Sequence, residues 1–175
     1  MLKKPILIVI VGPTAVGKTT SAISLAELIG GEIVSADSRL LYKGMNIGTA
    51  KPSQQEMQRV PHYLIDVTTP DNPWSLAQYK FEASNVISDI QQRDNIPVLV
   101  GGTGQYVRAI VEGWNIPPIP NDNKIRDELV AYAERHGSVS LHDKLKELDD
   151  EAAKAIDPRN IRRIIRALEV CIYTK

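Results

Sequence analysis

Cysteine, long apolar runs and net charge are what this sequence lacks. Cys171 is its only cysteine, which excludes an internal disulfide framework and is typical of a reducing compartment. We expect it to act as a small apolar residue on a helix. No apolar run approaches the roughly 18 residues that a membrane span requires. The 21 basic and 21 acidic residues balance, so any nucleic-acid surface must be a local patch.

The residues that are present are sufficient for a folded, non-secreted protein. The chain has 175 residues, of which 43% are hydrophobic, enough for one domain or one domain with an appendage. The opening Met1–Lys4 and the apolar run to Val11 superficially resemble a signal peptide. That run leads into a glycine-rich loop rather than a cleavage site, so we predict a cytoplasmic protein with no membrane contact. We also expect a monomer.

Alternating strand and helix patterns predict an α/β fold, a P-loop NTPase-like parallel sheet flanked by helices. The strands have the continuous apolar character of strands buried on both faces. Ser75, with Gln78 three residues later, has the pattern of a helix N-cap. We predict strands at 5–11, 32–36, 62–66 and 97–100, and helices at 18–29 and after Ser75.

The pattern changes after Trp114. A proline-rich connector over 115–122 excludes regular helix, and charged helical segments follow it. We predict helices ending at His136 and near Glu147, a short one after Asp149 or Asp150, and a last one capped by Asp157 with Pro158 in its first turn. The chain is therefore divided into 1–116, 117–157 and 158–175.

The strongest motif is a phosphate-binding loop. Gly12-Pro13-Thr14-Ala15-Val16-Gly17-Lys18-Thr19 follows a predicted buried strand and precedes a predicted helix. Its glycines let backbone N–H groups surround a phosphate, and the helix N-terminus adds positive potential. Lys18 supplies a mobile charge, and Thr19 offers a hydroxyl to Mg²⁺.

Two further groups follow predicted strands, at the sheet edge where ligands of open α/β folds bind. Asp37, in Ser35-Ala36-Asp37-Ser38, would be a general base, a group that holds a magnesium-bound water, or a turn-forming or capping aspartate; the spacing alone does not choose among them. Gly101-Gly102-Thr103-Gly104 allows close backbone approach, and Thr103 can offer its hydroxyl to a phosphate. Three such strand-end groups predict one pocket.

The last predicted helix carries arginines on one face. Arg159, Arg162, Arg163 and Arg166 have i, i+3, i+4 and i+7 spacing, which suits contact with a phosphate backbone or an ordinary solvated helix face. The three histidines, His62, His136 and His142, lack metal-ligand spacing, so we expect surface or structural roles for them.

Several blocks resemble the tRNA dimethylallyltransferases. The resemblance lies in the phosphate loop, in Ser35–Ser38, and above all in the long block ending Gly48-Thr49-Ala50-Lys51-Pro52. It continues in these blocks: Val60–Asp66, Gly101–Gly104 with Tyr106, and Arg162–Glu169. The match covers essentially the whole chain in the right order.

The resemblance implies transfer of a dimethylallyl group from dimethylallyl diphosphate to N6 of an adenosine beside the tRNA anticodon, with release of pyrophosphate. It implies that the phosphate loop holds the diphosphate rather than ATP, with Lys18, Thr103 and Mg²⁺ on Thr19 neutralising charge and Asp37 accepting a proton. It implies that 117–157 is an inserted domain facing tRNA and that 158–175 returns to the core. The residues it implies in tRNA contact are Asp37, Ser38, Arg39, Leu40, Arg126, Arg162, Arg163 and Arg166.

The resemblance has departures. Leu40 and Arg162 stand where the family usually has glutamine, and family members run well beyond residue 175. We therefore expect a truncated or reduced form. Three alternatives stay open: a P-loop small-molecule kinase, a prenyltransferase acting on free adenine nucleotides, and a catalytically impaired tRNA-binding fragment.

Overall fold

The computed structural model describes residues 5–117 and 123–174. It contains two compact units, with the division after Ile116. The predicted caps at Asn121 and Asp122 lie outside the described residues. Within the described part of the chain, no helix combines the length and the apolar character needed to cross a bilayer. The cytoplasmic location stays a prediction.

The first unit is a four-stranded parallel sheet with helices, which confirms the predicted α/β, P-loop-like fold. The strand order across the sheet is β1-β4-β2-β3. The strands are β1 (Ile8–Val11), β2 (Gly31–Ser35), β3 (His62–Tyr63) and β4 (Ile96–Gly101). The helices are α1 (Lys18–Ile29), α2 (Gln54–Arg59), α3 (Leu76–Gln92) and α4 (Gly104–Val111).

The two central strands, β2 and β4, have an apolar middle because both faces of the sheet are covered. Ile33 and Val98 pack with Ala22 and other α1 side chains on one face. Val34 and Leu99, the next residues along, pack in the cluster that contains the α3 side chains Tyr79 and Ala83. Neighbouring residues of one strand point to opposite faces, so consecutive positions in the middle of β2 and β4 are both hydrophobic.

Glu32 is a buried acid in β2 and is fully paired. Its side chain is 4% exposed and accepts hydrogen bonds from Arg93, Asn95 and the Tyr63 hydroxyl. Foremost among these, the Arg93 hydrogen bonds lower the pKa of Glu32 to about 2, with the Tyr63 and Asn95 bonds adding to the effect. The network ties β2 to the residues around the start of β4 and to β3.

Local sequence signals account for most element ends. Gly30 ends α1 in the left-handed conformation, and the Ser75 side chain accepts the Gln78 N–H at the start of α3, as predicted. Helices α2 and α4 were not anticipated. The start of α2 has its own signal, a capping box of Ser53 and Glu56, which the sequence analysis overlooked.

The second unit is helical. It contains α5 (Asn123–Leu148), α6 (Asp150–Ala155) and α7 (Ile161–Thr174), around a cluster that includes Leu141, Leu145, Ile164 and Leu168. As predicted, the helix is interrupted at Gly137 (φ 84°), and Asp149 caps α6. Cys171 is buried in the same cluster, as expected.

The predicted start of the last helix was wrong. Asp157 accepts the Arg159 N–H and pairs with the Arg159 guanidinium, so 157–160 is a turn, and α7 begins at Ile161. The Asn160 side chain receives the Arg163 N–H instead. Arg159 therefore lies outside α7 and does not share its arginine face. Because α7 packs mainly on α5, the return of 158–175 to the core stays a prediction.

We predict that Glu32→Gln destabilises the protein at pH 7 by about 3 kcal/mol, the free-energy equivalent of the lowered pKa. A depressed carboxyl pKa stabilises the fold above the unfolded-state value of about 4.3 and loses this effect as the pH falls through the folded value of about 2. Urea unfolding of wild type and variant from pH 7 to pH 2 measures the difference. A difference that does not shrink below pH 4 would contradict the prediction.

Candidate functional site

The carboxyl ends of β2 and β4 meet so closely that one position must be glycine. A Cβ on Gly101 would overlap the carbonyl group of Ala36. Instead, the Ala36 N–H donates to the Val100 carbonyl at 2.7 Å, and the Thr103 N–H donates to the Ala36 carbonyl at 3.1 Å. Two of the three predicted strand-end groups are therefore joined by backbone hydrogen bonds.

Side chains extend this connection to Asp37. The Thr103 hydroxyl accepts the Ser38 N–H at 2.9 Å and donates to the Ser38 hydroxyl at 3.2 Å. One Asp37 carboxylate oxygen accepts the Arg39 N–H at 2.9 Å. Asp37 thus has the turn-forming role considered from the sequence, and its other oxygen makes no hydrogen bond to the described residues. The Thr103 hydroxyl is engaged with Ser38 in this conformation.

Two stacked tyrosines support the end of β2. The ring centroids of Tyr79 and Tyr106 are 3.7 Å apart, and the Tyr79 hydroxyl donates to the Ser35 carbonyl at 3.0 Å. Burial raises the pKa of Tyr79, so the phenol keeps its proton and remains a donor. This buried hydrogen bond therefore fixes the backbone at Ser35, two residues before Asp37.

The phosphate loop connects β1 to α1. Ala15 (φ 65°) and Gly17 (φ 82°) adopt the left-handed conformation, and Gly17 is the N-cap of α1. The Lys18 ammonium donates to the Pro13 carbonyl across the loop. The first turn of α1 leaves backbone N–H groups free of helical partners, which favours an anion there.

One cavity of about 450 Å³ brings the three groups together. Lys18 and Arg39 supply two cations and Asp37 one carboxylate, so the cavity suits an anionic ligand. From the predicted site it is lined by Thr14, Ala15, Gly17, Lys18, Thr19, Asp37, Ser38, Arg39, Leu40 and Thr103, together with Gly101 and Gly102. It is also lined by Gly48, Thr49, Ala50 and Pro52 of the long block, whose role the sequence did not indicate.

Three residues of the phosphate loop do not line this cavity. Gly12 and Pro13 line a second cavity of about 460 Å³, which shares Gly101 and Gly102 with the first. Val16 lines neither of these cavities, and its side chain is exposed. The two cavities thus meet at the glycines that follow β4.

His62 also lines the first cavity, the one that contains Asp37, a position that sequence reasoning missed. Its Nδ1 lies 2.8 Å from the Val60 carbonyl, which can only accept, so Nδ1 carries the proton and Nε2 is an acceptor. Nε2 is buried without a hydrogen-bond partner in the described residues. Desolvation lowers the pKa of His62, opposed by the Val60 carbonyl and Glu56. The available signal was its place in the block Val60–Asp66.

Of the arginines predicted to contact RNA, Arg39 lies in the first unit and the other four lie in the second. Arg126 makes two hydrogen bonds to the buried carboxylate of Glu169, at 2.8 and 2.9 Å, and Arg166 approaches the same carboxylate at 3.4 Å. Arg162 and Arg163 are exposed on α7. Arg162 and Arg163 are therefore more available than Arg126 to an outside anion.

No group of three or more His, Cys, Asp or Glu side chains that could hold a metal ion occurs among residues 5–117 and 123–174. The Thr19 hydroxyl lines the cavity and makes no hydrogen bond to the described residues. A metal bound there would need most of its oxygen ligands from a phosphate and water.

A phosphate loop between a parallel strand and a helix, with a carboxylate lining the same cavity, defines a P-loop-like α/β protein. A family model described as IPP transferase matches residues 40–175. The tRNA dimethylallyltransferase of Herpetosiphon aurantiacus is 53% identical over 95% of this chain and 53% of that protein. The chain therefore belongs to the IPP transferase family, and it spans about half the length of the curated relatives it matches.

Solved structures agree with this family assignment. The full-length tRNA isopentenylpyrophosphate transferase of Bacillus halodurans is 47% identical, with a TM-score of 0.64 over 98% of this chain and 56% of that chain. A eukaryotic dimethylallyltransferase acting on tRNA is 29% identical, with a TM-score of 0.81 over 95% of this chain and 41% of that chain.

We predict that Gly101→Ala destabilises the protein by about 3 kcal/mol, because the added methyl overlaps the Ala36 backbone. Gly102→Ala is the matched control: the nearest atom to its Cβ, the Gly12 carbonyl oxygen, is 3.8 Å away. We expect a change of about 0.5 kcal/mol or less for the control. Denaturant unfolding measures both, and equal effects would exclude the close approach as the cause.

We predict that His62 titrates at a lower pH than a free histidine, because burial lowers its pKa. Its ring signals in a two-dimensional NMR titration should move at a lower pH than those of the urea-unfolded chain, and His62→Gln assigns them. A titration midpoint in the folded protein equal to or above the unfolded one would show that the ring is solvated.

Proposed function

We propose that this chain carries the catalytic site of a tRNA dimethylallyltransferase. The substrates are dimethylallyl diphosphate and an adenosine beside the tRNA anticodon, and the products are N6-dimethylallyladenosine in tRNA and pyrophosphate. One observation carries the proposal: a single cavity is lined both by phosphate-loop residues and by Asp37 with Thr103. The names of the relatives support the choice of substrates.

The reaction balances with the residues of this cavity. The adenosine N6 attacks C1 of the dimethylallyl group, the new N6–C1 bond forms, and the C1–O bond breaks with its electron pair leaving on pyrophosphate. The N6 proton passes to the Asp37 carboxylate, whose second oxygen has no partner in the described residues. Lys18, the loop N–H groups and the Thr103 hydroxyl stabilise the charge on the departing oxygens. Thr103 would have to turn its proton away from Ser38 to do so.

The cavity fits Mg²⁺ held mainly by the diphosphate. Mg²⁺ prefers oxygen ligands, keeps several waters and commonly binds through substrate phosphates, so the Thr19 hydroxyl is a sufficient protein contribution. When bound, the ion would supply further positive charge for the leaving group. The lack of a carboxylate cluster in the described residues is compatible with this arrangement.

The RNA would be contacted by both units. Ser38, Arg39 and Leu40 line the cavity next to Asp37, where the target base must enter after it leaves its stack. Leu40 contributes an apolar surface there, because leucine cannot make the hydrogen bonds of an amide. Arg162 and Arg163 would bind phosphates, as would Arg166 and Arg126, whose charges are partly neutralised by Glu169.

We predict that Asp37→Asn lowers dimethylallyl transfer at least about a hundredfold, because an amide cannot accept the N6 proton. Asparagine keeps an oxygen for the Arg39 N–H, so the local turn is preserved. The assay uses radiolabelled dimethylallyl diphosphate, Mg²⁺ and unmodified tRNA. Asp71→Asn, at an exposed site outside the cavity, is the matched control and should leave the rate unchanged.

This assay, together with a kinase assay using labelled ATP and a tRNA-binding measurement, separates the alternatives. Label in free AMP or ATP rather than tRNA would identify a free-nucleotide prenyltransferase. Phosphate transfer from labelled ATP to a small acceptor, with no prenyl transfer, would identify a kinase. Salt-dependent tRNA binding without label would identify an RNA-binding protein that lacks catalysis. Undiminished transfer by Asp37→Asn would exclude Asp37 as the base.

A further inference from the structure

The turn over residues 44–48, next to the cavity, presents an apolar tip to solvent. Gly44 (φ 78°) and Gly48 (φ 74°) bound it in conformations that other residues adopt at a cost. The Ile47 side chain is 97% exposed and that of Met45 is 39% exposed. Isolated exposed apolar residues are common, so exposure alone indicates no partner.

This turn differs from an ordinary exposed turn because a buried lysine, Lys51, is hydrogen-bonded to it. The Lys51 side chain is 7% exposed and its ammonium has three oxygen partners: the Tyr42 carbonyl at 3.2 Å, the Asn46 side-chain oxygen at 2.9 Å and the Asp66 carboxylate at 2.6 Å. These three acceptors match the three donors of an ammonium. Lys51 thus fixes the turn from beneath.

The polar side chains of this segment hydrogen-bond within it, although Asn46 is exposed, while the apolar side chains make no such contacts. The Thr49 hydroxyl donates to the Met45 carbonyl at 2.7 Å, and Asn46 is bonded to Lys51. In most exposed turns an isoleucine would be covered, whereas Ile47 is exposed in a turn whose polar side chains are hydrogen-bonded. The turn therefore holds an apolar group at a defined position beside the cavity.

The surroundings of the turn favour a nucleic acid. Gly48, Thr49 and Ala50 line the cavity together with Asp37 and Arg39. Lys43, which immediately precedes the turn, is exposed, as is Arg39. Some proteins that unstack bases combine cations, which bind the phosphates, with an apolar side chain inserted between the bases.

We propose that Ile47 packs against the base next to the target adenosine and takes the place of that adenosine in the stack. This inference depends on the proposed function, because the N6 of a stacked adenosine cannot enter the cavity. Removing a base from its stack exposes the faces of its neighbours, and inserted apolar side chains cover such faces in other nucleic-acid complexes. Ile47 is a positioning residue in this account, since it does not touch the reacting atoms.

The test uses the full chain and a tRNA anticodon stem-loop with 2-aminopurine at the target position. This base becomes more fluorescent when it leaves the stack, and the readout needs no prenyl transfer. We expect Ile47→Ala to weaken RNA binding about tenfold, the effect of losing one stacking contact, and to reduce the fluorescence increase at saturating RNA. Ile47→Leu should restore both.

Controls separate this contact from other effects. Leu28→Ala, at a leucine that is 85% exposed on α1, should match wild type. The KM for dimethylallyl diphosphate should be unchanged by Ile47→Ala, while kcat/KM for tRNA falls about tenfold. Lys51→Met should resemble Ile47→Ala if its main effect is to release the turn.

The outcomes decide between the inference and its alternatives. Ile47→Ala within twofold of wild type in affinity and fluorescence would overturn it. A raised KM for the diphosphate with unchanged RNA binding would instead place Ile47 over the dimethylallyl group. If wild type binds and unstacks the RNA but transfers no label, the proposed reaction fails while the contact is still measured. If wild type does not bind the RNA, both fail.

Discussion

The site depends on one steric constraint, the contact between Gly101 and the backbone of Ala36 where β4 and β2 end. Because Gly101 has no Cβ, the segments at the ends of β2 and β4 lie in direct backbone contact. They continue to form hydrogen bonds beyond the last residue of β2. Thr103 therefore reaches Ser38, and both lie next to Asp37. A carboxylate from one strand end and a hydroxyl from another thus share one wall of the cavity.

The opposite end of the same strands is secured by charge instead of close packing. Glu32 near the start of β2 is buried and paired with Arg93, which also bonds Asp89 on α3. Removing one partner of such a pair leaves an uncompensated charge, so the arrangement strongly specifies which strand neighbours which. At the other end of β2, the Tyr79 hydroxyl donates a hydrogen bond to the Ser35 carbonyl. Side-chain contacts therefore hold both ends of β2, and Asp37 follows it at the cavity.

Sequence patterns predicted the features that have local causes. Apolar β-branched runs predicted the strands, and the helix patterns predicted the end of α1 at residue 29 and a helix end at His136, next to the interruption of α5. The prediction failed where two local signals competed: Asp157 was expected to start α7, but it pairs with Arg159 and forms a separate turn. The start of α2 was predictable but missed, because its capping box, Ser53 with Glu56, is a local sequence pattern.

By itself, the sequence determined the fold class, the phosphate loop and the candidates at the strand ends, because these follow from periodicity and from residue types at fixed spacing. Only the tertiary structure decided that His62 lines the cavity, that Lys51 is buried beneath an exposed Ile47, and that Glu169 neutralises Arg126. The physical reason is that burial and ion pairing depend on residues far apart in the chain. Thr103 lies 65 positions from Ser38, and no local pattern encodes a hydrogen bond across that separation.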